Sequence, residues 1–204
     1  VLYTNTTAVT GVGFTPDMVW HKSRNQTYHH YLYDTVRGTG AKGLNPDDTN
    51  GEGYYDGSGI ASFDSDGVTY SSDAGLSQTQ AVGWFWKAGG TAVSNTNGTI
   101  TSSVSANVDA GFSIVSYTGN TVAGATIGHG LGVKPDLIWV KIRIDNYEGK
   151  LYNSISGATK YLVLNSTAAL ATYTPIWNDT EPTSSVFSVG ADVTVGGYPV
   201  RDFI

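Results

Sequence analysis

The chain has 204 residues, of which 40% are apolar and only 14% are charged, and its net charge is −6. Nucleic acids and anionic membranes bind basic surfaces, and since the sequence has no run of Lys or Arg, neither partner is predicted. No stretch of about 18 apolar residues occurs, so no membrane insertion is predicted. The lack of cysteine excludes disulfide bonds and cysteine nucleophiles.

The first strongly predicted strand belongs to a segment that occurs twice. GVGFTPDMVWHKSR begins at Gly11, and GLGVKPDLIWVKIR begins at Gly130, 119 residues later. The correspondence continues beyond the motif, and after a slip of one residue Leu44 matches Leu164. Self-similarity at one offset is the mark of a repeated unit, so the sequence predicts an internal duplication.

Runs of Val, Ile, Trp, Tyr and Thr alternate with polar residues and are bounded by Gly, Asn, Asp or Pro. This period of two predicts short antiparallel strands joined by tight turns. Helical patterns are weak, and the best candidates are single turns at 154–157 and near Ser166. We therefore expect an all-β chain of two tandem duplicated antiparallel β-sandwich or jelly-roll-like modules.

The predicted modules span residues 1–88 and 111–204, and a polar linker or strand at 89–110 joins them. The first module opens in the middle of a strand pattern, and the second stops early in one. We therefore expect the first to be truncated at its N-terminus, the second at its C-terminus, and the full protein to be longer.

An acidic loop follows Asn45, with the sequence NPDDTNGEGYYDG. Asp48, Asn50 and Glu52 place oxygen-bearing side chains at alternate positions before a glycine, as in the first half of a calcium-binding loop. Position 12 of such a loop would be Gly59, which supplies no carboxylate. The loop is thus either a calcium site or a solvated acidic loop, and no other cofactor is predicted.

Aromatic residues supply a second kind of candidate site. Trp84 and Trp86 alternate in GWFWKAGG, so both rings lie on one sheet face, where they either close a core or stack on sugar rings. Other aromatic and polar residues stand in predicted loops, where amide and carboxyl groups would bind sugar hydroxyls. These further candidate ligand-binding residues are Tyr54, Tyr55, Trp177, Asn178 and Asp179.

Catalytic motifs are missing from the sequence, which has no G-x-S-x-G, H-E-x-x-H or P-loop. A G-x-G-x-x-G match at 38–43 does not stand between a strand and a helix, as dinucleotide binding requires. Asp34 corresponds to Asn153, so this acid is not shared between the copies, whereas Asp17 and Asp136 do recur, beside a proline at a strand start, where capping a turn is the simpler role. We predict a protein that is not an enzyme, and a glycan depolymerase is the less favoured alternative.

The segment from Trp84 to Lys141, which contains WFWKAGGTAVSN and GHGLGVKPDLIWVK, resembles a domain of unknown function in virion proteins of marine bacteriophages, often cyanophages and pelagiphages. Other runs, GVGFTPDMVWHKSR among them, extend the resemblance over nearly the whole chain. The insertion NPDDTNGEGYYDGSG and the ending YPVRDFI depart from the pattern. The resemblance implies no catalytic residue.

What the resemblance implies is a tail fibre, a fibre-like appendage or a capsid decoration at the virion surface, outside the cell. We predict a non-enzymatic adhesion module that contacts host-surface polysaccharide and other virion proteins and forms a homo-oligomer. Repeated domains suit this role, because they add weak contacts into avidity. The alternative is an architectural protein that binds only other virion subunits.

Overall fold

The structure, a computed structural model, describes residues 1–4, 7–54, 59–71 and 80–204. The strands of the first half are β1 (Leu2–Thr4), β2 (Ala8–Val9), β3 (Met18–Ser23), β4 (Tyr31–Asp34), β5 (Ile60–Asp64), β6 (Gly67–Tyr70) and β7 (Gln80–Trp86). Those that follow are β8 (Val93–Asn95), β9 (Ser102–Asn107), β10 (Phe112–Thr118), β11 (Ala125–Gly128), β12 (Leu137–Val140), β13 (Lys150–Asn153), β14 (Lys160–Val163), β15 (Ala171–Thr172), β16 (Val186–Val189) and β17 (Asp202–Phe203). The described residues form one helix, α1 (Thr174–Trp177), which lies between β15 and β16.

Every pair of these strands is antiparallel. The strand orders are β1-β7-β3-β4, β2-β6-β5, β8-β9-β10-β17, β11-β16 and β12-β13-β14-β15, and a bridge between Ile142 and Phe203 joins β17 to the chain just after β12. In the described part of the chain, these small sheets are arranged as a four-bladed β-propeller. The all-β, antiparallel prediction is confirmed, whereas the division into two tandem sandwich modules is a finer prediction that stays a prediction.

The repeated segment forms the same strand pairs in both halves. Met18 pairs with Asp34 where β3 meets β4, and Leu137 pairs with Asn153 where β12 meets β13, so both pairs keep the 119-residue offset. The side-chain period of a strand is two, so an identical register puts equivalent residues on equivalent faces. The repeated residues are thus the strand scaffold of each half.

The observed strand pairing changes one of the residue matches predicted between the two copies. Leu32 pairs with Leu44, and Leu151, its counterpart at the 119-residue offset, pairs with Leu162. Leu162 therefore takes the place of Leu44, and the predicted match of Leu44 with Leu164 is wrong. Leu162 and Leu164 are two residues apart in the same strand region, so residue identity alone does not show which of them matches Leu44. Only the backbone pairing sets the register.

Each half has its own hydrophobic core. The core of the first half includes Val19, Tyr33, Ile60, Val68 and Tyr70. The core of the second half is larger and includes Ile127, Ile142, Tyr152, Trp177, Val189 and Phe203. Burial of one such side chain contributes about 1.5–3 kcal/mol, so these clusters are the main source of stability.

The polar segment at 89–110 carries β8 and β9, which pair with each other and, through β9, with β10. The alternating run that suggested a strand there is confirmed. The two predicted helical turns are turns and bends rather than helices. The observed helix α1 instead begins with Pro175 in its first turn and ends at Asn178, whose left-handed backbone (φ 54°) caps it.

Among the described residues, we find no helix with the length and apolar character needed to cross a membrane.

Candidate functional site

The outer side of the sheet β1-β7-β3-β4 carries three tryptophans, and we call Trp20, Trp84 and Trp86 the aromatic face. Trp84 and Trp86 alternate along β7, and Trp84 stands directly opposite Trp20 of β3. Trp84 is 47% exposed, and the other two rings are half-buried. The predicted orientation of the β7 pair on one sheet face is confirmed.

The rings of the aromatic face are held by neighbours. Trp20 and Trp84 meet edge to face, with ring centroids 6.3 Å apart, a favourable geometry for two aromatic quadrupoles. The Trp20 Nε1–H donates a hydrogen bond of 2.8 Å to Nδ1 of His30. Trp86 stacks on Phe112 with centroids 6.2 Å apart. Rings fixed in this way lose little conformational freedom when a ligand binds.

His30 can accept the hydrogen bond from the Trp20 indole only while the Nδ1 atom of His30 is unprotonated. Partial burial lowers the pKa of His30 below its ordinary value, and the positive charge of Lys22 acts in the same direction. The nearby carboxylate of Asp47 opposes this shift without overcoming it. His30 is therefore neutral at physiological pH and accepts the bond from Trp20.

The inner side of β7 helps to distinguish the two interpretations of Trp84 and Trp86, which either close a core or stack on sugar rings. Phe85, between the two tryptophans in sequence, points inward and packs against the core of the first half. Gly83 is required beneath it, since a Cβ there would lie 2.7 Å from the Phe85 ring. Phe85 therefore packs on the core side of β7, and Trp84 and Trp86 lie on the outer side of the sheet.

Trp20 was not among the residues predicted to bind a ligand. Strand alternation, the signal present in the sequence, puts Trp20 and His21 on opposite sides of β3, and the structure shows that His21 is the buried one. In the second half Trp139 has the same register, but Gly149 replaces His30. A Cβ at Gly149 would lie 2.2 Å from Trp139 Nε1, so the indole packs directly over the glycine.

The surface cavities of the described residues include two that border β7 and the residues that follow it. The larger, about 460 Å³, is lined by Thr15, Asp17, Lys87, Gly90, Asn107 and Asp109, among others. The smaller, about 370 Å³, is lined by Val1, Val12, Phe14, Trp84, Phe85 and Trp86, among others. We assign the candidate site to the smaller one, because it adjoins the aromatic face and offers the apolar walls that ligand sites favour.

The candidate residues after β15 lie elsewhere. Trp177 is only 2% exposed and meets Tyr152 edge to face in the core of the second half, so the expectation of an exposed indole is wrong. The physical reason is α1, whose single turn directs Trp177 inward. Asn178 caps that turn, and Asp179 accepts a hydrogen bond of 2.9 Å from the Thr174 hydroxyl.

The candidates near the acidic loop are also separate from the aromatic face. Tyr54 is exposed, and Tyr55 lies outside the described residues. The Asn50 amide donates a hydrogen bond of 2.8 Å to the Asp48 carboxylate. Glu52 would have to release arginine side chains before it could bind calcium. The three predicted ligands are therefore committed to contacts within the protein, and the calcium site stays a prediction.

The acidic loop instead docks on the second half of the chain. Lys141 is buried, and its ammonium donates to the main-chain oxygens of Asp48 and Thr49, at 3.0 and 3.2 Å. Burial lowers the pKa of Lys141 to about 8, and the nearby Asp48 carboxylate acts in the opposite direction. The Arg143 guanidinium contacts Glu52 at 2.8 and 3.3 Å. The insertion is thus a contact between the halves.

The repeated Pro-Asp motif has a structural role in both halves. The Asp17 carboxylate accepts hydrogen bonds from the Ala88 amide at 2.8 Å and the Thr35 hydroxyl at 3.3 Å. Asp136 accepts the equivalent bond from the Ser154 hydroxyl at 2.7 Å. A carboxylate saturated by such donors organises loops, which accounts for its recurrence without a catalytic role.

The family described as "Domain of unknown function (DUF7483)" matches residues 2–203 of this chain. The chain belongs to this family. No curated protein matches it, and no solved structure matches it. The family description states no activity, so the bacteriophage origin suggested by the sequence resemblance stays a prediction. In this DUF7483 chain one family domain contains both halves.

The DUF7483 domain also buries a histidine. His21 is 1% exposed, and its ring is linked by hydrogen bonds through the Tyr3 hydroxyl to Tyr70, whose hydroxyl lies 2.9 Å from that of Tyr3. Burial lowers the pKa of His21 to about 3, and Lys22 acts in the same direction. Burial raises the pKa of Tyr70 well above its ordinary value. All three rings are therefore uncharged at neutral pH, and the cluster is part of the core.

This histidine predicts a loss of stability in acid. The unfolded chain protonates His21 below pH 6.5, but the folded chain does not until about pH 3, so the free energy of unfolding falls as the pH drops through that window. His21 alone should cost about 2 kcal/mol at pH 5. The matched variant is His21→Val, because Val140 occupies this position in the second half. Urea unfolding at pH 7 and pH 5 should show the variant losing less stability, and equal losses would contradict the prediction.

Proposed function

We propose that this protein is a non-enzymatic attachment module at the surface of a bacteriophage virion, and that its aromatic face binds host-surface polysaccharide. The observation that carries the proposal is the exposed Trp84 ring, held edge to face against Trp20 beside an apolar cavity. The flat, electron-rich face of an indole attracts the C–H groups on one side of a pyranose ring. The bacteriophage setting rests on the sequence resemblance.

Polar groups at the border of the face would supply hydroxyl recognition. Lys22 follows Trp20 on the same side of β3, and its ammonium lies 2.7 Å from the Ser23 carbonyl oxygen and 3.2 Å from that of Gln26. An ammonium group has three donors, so one is left for a sugar hydroxyl. A binding site with aromatic walls and a few polar groups at its border is the usual design of a small-molecule pocket.

Three carboxyl groups, those of Asp66, Glu148 and Glu181, are unsuited to glycosidase chemistry. A glycosidase needs one carboxylic acid with a raised pKa to protonate the leaving group. Hydrogen bonds to the backbone amides of Gly13 and Gly11 lower the pKa of Asp66. The Lys150 ammonium lowers that of Glu148, and Lys134, followed by Tyr152, lowers that of Glu181 to about 2. These carboxyls are ionised at neutral pH and unsuited to act as a general acid.

We further propose that the chain is a duplicated pair of β-sandwich-like modules, with residues 89–110 between them. The common strand registers and the separate cores of the halves support this. Duplication suits attachment, because two linked contacts raise the overall affinity above that of either alone.

Trp84→Ala is the variant that tests the attachment proposal. We expect wild-type protein to bind purified bacterial surface polysaccharide saturably and Trp84→Ala to bind at least about tenfold more weakly, since loss of one stacking ring at a site centre costs about 1.4 kcal/mol or more. Tyr173→Ala is the control, because Tyr173 is equally exposed, at 48%, in the second half. Equal binding by wild type and Trp84→Ala would overturn the assignment of the site.

A specific observation also favours the architectural alternative. Large apolar side chains are exposed in the second half, where Leu137 is 62% and Ile155 is 99% exposed. Exposed apolar side chains that form a patch are typical of protein contacts. Folded protein that binds no polysaccharide, but forms oligomers by light scattering that Ile155→Lys disrupts, would favour this function instead.

A further inference from the structure

Two arginines at equivalent positions of the duplicated strand differ in their partners. Arg24 directly follows β3, and Arg143, at the 119-residue offset, lies just beyond β12. Each donates its backbone amide to the first residue of the neighbouring strand, Gln80 of β7 or Asp202 of β17. The Arg143 guanidinium contacts both oxygens of the Glu52 carboxylate and lies 3.6 Å from that of Asp202. In the second half this strand position therefore binds a carboxylate through the fork of the guanidinium.

Arg24 has neither of these carboxylates. Gln80 stands where the second half has Asp202, and the second half has no counterpart of the acidic loop that supplies Glu52. Within the described ranges, no carboxylate forms an ion pair with Arg24 or with Lys22, and Arg24 is exposed. A carboxylate-binding position is thus repeated in the first half without its carboxylate.

Arg24 lies in line with the aromatic face. Strand alternation places Trp20, Lys22 and Arg24 on the outer side of the sheet, while Ser23 is buried on the inner side. Each residue of a strand advances about 3.3 Å, so the backbone positions of Trp20 and Arg24 are about 13 Å apart. A sugar polymer that lies along β3 from the exposed Trp84 ring can therefore reach Arg24 with a sugar other than the one stacked on the indole.

We propose, building on the attachment function proposed for the aromatic face, that the polysaccharide bound there is acidic and that the Arg24 guanidinium binds the carboxylate of a uronic acid in it. Lys22, whose ammonium retains one donor, adds a second positive charge beside Arg24. A protein with a net charge of −6 attracts an anionic polymer only through a local cationic surface. These two residues supply such a surface on the sheet that carries the tryptophans.

The hydrogen bonds of Lys22 favour a sugar over an acidic protein loop as the ligand. Lys141, the counterpart of Lys22, donates to the Tyr147 carbonyl oxygen and to two main-chain oxygens of the acidic loop. Lys22 instead uses two donors on the carbonyl oxygens of Ser23 and Gln26, which are close to it in sequence. An ammonium group has three donors, so Lys22 cannot repeat both contacts to a docked loop.

The probe is a purified bacterial surface polysaccharide that contains uronic acids, used as isolated and after reduction of its carboxylates to alcohols. We expect wild-type protein to bind the native polymer at least about tenfold more tightly by calorimetry, because a hydrogen bond to a charged group contributes that much. Reduction leaves sulfate esters in place, so a contact that depends on sulfate would survive it. Equal binding of both polymers would overturn the acidic-ligand proposal and leave the attachment function standing, whereas binding of neither polymer would overturn both.

Protein variants locate the contact. Arg24→Gln should weaken binding of the native polymer at least about tenfold and leave binding of the reduced polymer unchanged, because only a charge contact is lost. Trp84→Ala should weaken binding of both polymers. The control is Lys160→Gln, which removes an exposed cation from β14 and should change neither.

Two outcomes would contradict the role of Arg24. An Arg24→Gln protein that binds the native polymer as tightly as the wild type would overturn the assignment of the carboxylate to this residue. Competition measures the other outcome, with the peptide NPDDTNGEG, which is residues 45–53 of this chain. If this peptide binds wild-type protein more tightly than the native polymer does, and Arg24→Gln abolishes its binding, the surface is a site for acidic protein loops instead.

Discussion

Replacing Trp177 with alanine is expected to lower the free energy of unfolding by about 3–5 kcal/mol. The indole is 2% exposed and packs edge to face against Tyr152, so its removal leaves a large cavity in the core of the second half. In a protein of this size the loss corresponds to a fall in melting temperature of about 6–20 °C. Calorimetry or circular dichroism on heating measures it.

The matched control is Trp84→Ala, which removes the same side chain from the surface. Trp84 is 47% exposed, so we expect a stability loss of less than about 1 kcal/mol together with loss of polysaccharide binding. The two tryptophans should thus separate stability from binding. A Trp177→Ala protein that melts with the wild type would contradict the burial of this residue.

Glu52→Gln is the second substitution with a large expected effect. The carboxylate lies 2.8 Å from Nε of Arg143 and 3.5 Å from Nη1 of Arg37, whose side chain is fully buried. Glutamine keeps the shape but removes the charge, so Arg37 retains only Asp34 as an anionic partner. Loss of one partner from a buried charge cluster typically costs about 3–5 kcal/mol, and we expect about 2–4 because Arg37 keeps Asp34.

Denaturant unfolding of Glu52→Gln and Asp145→Asn measures this contribution. Asp145 also binds a cation, Arg201 at 2.8 Å, but the two side chains are 32% and 42% exposed, so little stability should be lost there. A double-mutant cycle with Arg143→Met should give a coupling energy of about 1 kcal/mol or more for Glu52. Equal stability of Glu52→Gln and wild type would show that the acidic loop does not hold the halves together.

The contrast between Glu52 and Trp84 shows how far the candidate sites could be predicted. Alternation along GWFWKAGG was sufficient to put Trp84 and Trp86 on one side of a strand, because the side-chain period of a strand is a local property. The partners of Glu52 could not be predicted. Arg143 lies in the other half of the chain, and only folding brings its guanidinium to the acidic loop.

The prediction that Trp177 is exposed was wrong for a related reason. Its neighbours in sequence are polar, which is typical of a surface loop, yet Pro175 starts a turn of helix and Asn178 ends it. That turn rotates the indole inward against Tyr152, which is distant in sequence. Propensities describe local conformation, whereas the direction of a side chain relative to the core depends on packing of the whole chain.

The sequence by itself determined the all-β class, the duplicated strand scaffold and the alternation that separates Phe85 from its neighbouring tryptophans. These follow from local geometry and from identity at a fixed offset. Only the tertiary structure decided the arrangement of the sheets and the docking of the acidic loop on Lys141. Each of these depends on which distant backbone edges and charges meet, and burial and pairing between remote segments set that choice.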